Sequence, residues 1–69
     1  MSPLDYQLRS AIDQNPHLLG RKVRIETHDG RVTLKGVVRS YYQKQMAQET
    51  LRNVAGVDGI ENQLEVSWA

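Results

Sequence analysis

Cysteine is absent from the 69 residues, which excludes a disulfide staple and any thiolate metal site. Also missing is an apolar run near the roughly 20 residues that a helix needs to span a bilayer. There is little excess of either charge: nine Lys and Arg stand against eight Asp and Glu, so the chain lacks the basic footprint usual in nucleic-acid binders. The start, Met1-Ser2-Pro3-Leu4-Asp5-Tyr6, has neither the basic opening nor the apolar stretch of a signal peptide. The expectation is a soluble chain, cytoplasmic as it stands, or periplasmic or envelope-located if cut from a longer exported protein.

Groups for catalysis are equally scarce. His17 and His28 are the only histidines, one in a loop and one beside a turn. Stable metal sites need three or four converging ligands, so none is expected, even through His28 and Asp29. There is no Ser-His-Asp spacing and no phosphate-cradling glycine loop. Asp13, Glu49 and Asp58 fall in separate elements, and so short a chain has little volume for a pocket. No catalytic residue, no cofactor and no enzymatic activity is expected.

What is present is a pattern. The length suits one domain, 1–69, with a shallow core, and 39% hydrophobic and 25% charged residues are those of an ordinary globular domain. Ser2, Pro3 and Asp5 suit the start of a helix. Leu4, Leu8, Ala11 and Ile12 continue it as one apolar stripe, predicting a helix over about 3–15 that Asn15-Pro16 stops. His17-Leu18-Leu19-Gly20 is a connector whose leucines plug the core end. Val23, Ile25 and Thr27 then alternate with Arg24, Glu26 and His28. After Asp29-Gly30, Val32, Leu34, Gly36 and Val38 alternate with Thr33, Lys35, Val37 and Arg39. Period-two alternation about Asp-Gly predicts a hairpin with a type I′ turn, strands about 22–28 and 31–39. Ser40 and Gln43 form a capping-box pattern before a helix over about 41–55. Its stripe runs Gln43, Ala47, Leu51 and Val54, flanked by Met46 and Thr50, with Gly56 as the residue that ends it. A last strand over about 60–67 points Ile60, Asn62, Leu64 and Val66 one way. The predicted class is α+β: α-β-β-α-β, a three-stranded sheet with both helices on one face.

These residues add up to a resemblance. The element order, Val23-x-Ile25, and Asp29-Gly30-x-Val32-x-Leu34-x-Gly36-x-Val38-x-Ser40 resemble a BON domain, the bacterial osmotic-stress and nodulation family. So does the close, Val54-x-Gly56-Val57 followed by Ile60-x-Asn62-x-Leu64-x-Val66. The resemblance implies a bacterial, non-catalytic binding module associated with phospholipid or envelope proteins and envelope stress. Family members usually occur in exported proteins, in tandem or beside other modules, whereas this chain holds one copy. One branch joins a LysM module and binds potassium, and that module is missing here.

The family-like residues have structural readings. Gly36 is expected on the inward face, where a side chain would meet a helix. Asn62 is expected to tie the loop around Gly56 to the sheet, since a buried amide must be bonded. Gly30 serves the turn. Candidates for lipid or anion binding are Lys22, Arg24, Arg31, Lys35 and Arg39 on the outer sheet face, where a cation near an anionic membrane contributes about 1 kcal/mol. The plainer account is a solvated face of charge pairs, diluted by Glu26, Glu61 and Glu65 and worth under about 1 kcal/mol each. Tyr6, Tyr41, Tyr42 and Trp68 suit an interface, yet packing is the expected role: at least one of Tyr41 and Tyr42 on the core, and Trp68 at the sheet edge or in a dimer contact. Gly56-Val57-Asp58-Gly59 fits the G-x-x-G of RNA-binding KH domains, but it precedes a strand and Asp58 would repel phosphate. Three functions follow, in this order: a module meeting anionic phospholipid or an envelope protein, a structural or weakly homodimeric domain without a small ligand, and a nucleic-acid binder.

Overall fold

The computed structural model describes residues 3–18 and 22–67. Its elements are α1 (Pro3–Asp13), a short 3-10 turn (Pro16–Leu18), β1 (Val23–His28), β2 (Arg31–Val38), α2 (Tyr41–Arg52) and β3 (Gly59–Val66). The expectations for Ser2, Leu19, Gly20 and Trp68 lie outside the described residues.

Leu8 and Ile12 of the α1 stripe are buried, with Leu4 and Ala11 packed beside them. The helix ends at Asp13, before the predicted Asn15. Asn15 leaves it because its Oδ1 accepts the His17 N–H at 2.9 Å, a local bond that competes with helix and opens the turn carrying buried Leu18.

At the hairpin tip Asp29 and Gly30 both have positive φ, 50° and 82°, as a type I′ turn requires. The resulting register sets Val23, Ile25 and Thr27 against Gly36, Leu34 and Val32. Arg24, Glu26 and His28 face Lys35, Thr33 and Arg31 on the other side. β3 joins β2 in parallel, so the sheet is mixed and ordered β1-β2-β3.

Ser40 is extended and its Oγ accepts the Gln43 N–H at 3.1 Å, satisfying one of the orphan donors of the first turn. The return bond differs from a capping box: Gln43 Oε1 accepts from the N–H of Arg39, not Ser40. Gln43 Nε2 also donates to the His17 carbonyl, joining the start of α2 to the turn after α1. The helix stops at Arg52 with Asn53 as its C-cap, short of the predicted 55. Gly56 therefore does not end it. Its φ of 95° serves a separate turn, closed by Val57 N–H to Val54 O.

Among the described residues the buried ones are all apolar: Leu8, Ile12, Leu18, Val23, Val32, Leu34, Val38, Ala47, Leu51 and Leu64. The strand members share one face, so both helices cover that face and leave the other open. Each fully buried Leu or Val contributes roughly 1.5–3 kcal/mol relative to exposure. Neither Tyr41 nor Tyr42 joins this core; they are 66% and 56% exposed. At 100° per residue they lie about 120° and 140° round the helix from Ala47, too far to reach it. Tyr42 instead meets the His17 ring edge-on, centroids 5.1 Å apart.

Candidate functional site

The open sheet face is built in rows across the strands. Arg24, Lys35 and Gln63 form one, Glu26, Thr33 and Glu61 the next, and His28, Arg31 and Gly59 the row at the hairpin end. Val37, half exposed, stands beside Glu65. The charges are split by strand. Lys22, Arg24, Arg31, Lys35 and Arg39 lie along or just beyond β1 and β2, with Glu26 the carboxylate of those two strands, while β3 brings Glu61 and Glu65.

Glu26 draws two of the cations together: Lys35 Nζ lies 3.5 Å and Arg24 4.0 Å from its Oε2. Arg24 is largely exposed and Glu26 and Lys35 are nearly half exposed, so these pairs orient the row more than they stabilise the fold. Lys22, Arg31 and Arg39 make no ion pair among the described residues. Arg31 borders an open hollow of about 290 Å³ lined also by Glu26, Thr27, His28 and Thr33. His28 Nε2 sits 3.3 Å from Asp29 at the tip, both nine-tenths exposed. Among the described residues no three His, Asp or Glu gather as metal ligands, and no helix is long and apolar enough to cross a membrane.

The four residues with structural readings fall in three places. Gly30 and Gly56 come together where the hairpin tip meets the α2–β3 connection: the Gly30 carbonyl accepts the Asp58 N–H at 2.8 Å. A Cβ on Gly30 would lie 2.5 Å from Asp58 Oδ2 and 3.2 Å from the Gly56 carbonyl. Gly36, with φ of 139°, is closed in by backbone, not by a helix as expected: a Cβ there would lie 2.5 Å from the Lys22 carbonyl oxygen. Asn62 does not tie down the Gly56 loop either. Its Nδ2 donates to the Lys44 carbonyl at 2.8 Å and to Gln48 Oε1 at 3.3 Å, and its Oδ1 accepts the Leu64 N–H. It fastens α2 onto β3.

The family model of the BON domain matches residues 3–67. The chain belongs to the BON domain family. No curated protein matches it. The BON family is non-catalytic and supports an interaction role at the family level. Arg9 is a further contributor absent from the sequence reasoning. Its guanidinium reaches from α1 to the Val23 carbonyl at 2.8 Å, and its only local signal is the i,i+4 spacing to Asp13, 3.8 Å away.

Proposed function

We propose that this BON domain is a non-enzymatic interaction module that associates with anionic phospholipid through the β1–β2 half of its open sheet face. The supporting observation is the sheet face itself: uncovered by either helix, it carries Arg24, Arg31 and Lys35 on two adjacent strands, with Lys22 and Arg39 just beyond their ends and Glu26 as the one carboxylate of those strands. Three of the five are not engaged in ion pairs among the described residues. Each Lys or Arg held near an anionic surface contributes about 1 kcal/mol, within a Debye length of it.

Co-sedimentation with phosphatidylcholine vesicles, with and without phosphatidylglycerol, tests this. Binding is expected only with the anionic lipid and at low salt. Reversing Lys35 and Arg39 together (Lys35→Glu, Arg39→Glu) should weaken it by about thirtyfold or more. Absence of binding at low salt, or binding indifferent to the reversal, overturns the reading.

A further inference from the structure

The two edges of the sheet differ in charge: β1 carries Arg24, Glu26 and His28 outward, β3 Glu61, Gln63 and Glu65. A two-residue hairpin makes His28 and Arg31 a hydrogen-bonded pair, so the odd residues of β2 bond toward β1 and the even ones toward β3. Ser67 N–H to Val38 O, 2.8 Å, agrees with this and directs the odd residues of β3 inward. Ile60, Asn62, Leu64 and Val66 therefore turn their backbone N–H and C=O to the free edge. Among the described residues one of these groups has a partner: the Leu64 N–H donates to Asn62 Oδ1 at 3.2 Å. The β1 edge likewise has one backbone group engaged, in its case from α1. Arg9 occupies the Val23 carbonyl, and Asp5 Oδ1 accepts from Thr27 Oγ1 at 2.6 Å.

An edge strand of eight residues with no strand on its outer side is a template for another strand. The side chains say what kind. Glu61 and Glu65 stand four residues apart on the outer face with no ion pair among the described residues. A second copy of this strand fits poorly. The antiparallel register that engages all four edge residues pairs Ile60 with Val66 and Asn62 with Leu64. It then sets Glu61 against the other copy's Glu65 twice, and opposed like charges are destabilising. A hollow of about 200 Å³ at the start of the edge, lined by Val57 and Ile60 with Gln48, Arg52, Asp58 and Gly59, leaves room for one side chain on the inner face.

We propose that the free edge of β3 accepts an extended segment of a partner protein, with Lys or Arg four residues apart on its outer face and apolar β-branched residues on its inner face. This surface is separate from the β1–β2 cations and stands whether or not those meet lipid.

The probe is a capped peptide, Val-Lys-Val-Thr-Val-Lys-Val, with Val-Glu-Val-Thr-Val-Glu-Val as its counterpart, followed by amide hydrogen exchange. The lysine peptide should slow exchange at Ile60, Asn62 and Val66 and leave Ile25 and Thr27 of the β1 edge unchanged. Reversing Glu61 and Glu65 to Lys should invert the preference, each peptide changing in affinity by about tenfold. Both variants are at exposed positions, and a circular dichroism spectrum checks that they fold. Unchanged exchange at the β3 edge, protection that ignores the charge reversal, or protection that grows with protein concentration in the absence of peptide would each overturn the proposal.

Discussion

At the scale of single residues, two positions carry most of the information. Gly36 reads from the sequence as a residue that something approaches closely, because glycine interrupts the inward apolar row Val32, Leu34 and Val38. What approaches it is not readable there. The Lys22 carbonyl comes from the residue just before β1, and only the hairpin register brings it within reach of Gly36. Together with the positive φ, this leaves no room for any side chain. Gly36→Ala should lower the unfolding free energy by at least about 2 kcal/mol, measured by urea denaturation; a loss under a few tenths would contradict the geometry. Asn62 shows the same division. Its inward direction follows from alternation, whereas its partners Lys44 and Gln48 follow from where α2 lies.

At the scale of elements, local chemistry is a good guide to starts and a weaker one to ends. The hairpin is legible to within a residue at its outer ends, about 22–28 and 31–39 against Val23–His28 and Arg31–Val38, since an Asp-Gly pair between alternating runs has few other conformations. The start of α2 was legible through Ser40. Ser40→Ala should cost about 1 kcal/mol and Ser40→Gly only a few tenths, again by urea denaturation; equal effects would mean the side-chain bond to Gln43 is idle. The ends moved because competing bonds captured them. Asn15 turned to His17, and the chain after Asn53 folded into its own turn at Gly56. Tyr41 and Tyr42 stay off the core for a related reason: position near a helix start says little about angle round the helix.

At the scale of the whole molecule, stability and binding rest on different forces. The buried set is apolar and its ion pairs are exposed, so screening should hardly touch the fold. In roughly 0.5 M sodium chloride, where the Debye length falls to about 4 Å, the urea midpoint should stay close to its low-salt value. The proposed association with anionic vesicles should be lost in the same buffer. A large salt shift in the midpoint would show that the outer-face charges support the fold after all.

The sequence by itself determined the order α-β-β-α-β, the hairpin and the face that each stripe buries. Those depend on period, caps and turn stereochemistry, which act over a few neighbouring residues. It also assembled the list of cations on the outer face. Only the tertiary structure decided that β3 takes the edge beside β2, that Glu61 and Glu65 are thereby set apart from the β1 cations, and that Arg9 of α1 takes a carbonyl of the β1 edge. The reason is physical: strand order and edge protection depend on residues far apart in the chain meeting across a register. No local pattern carries that information.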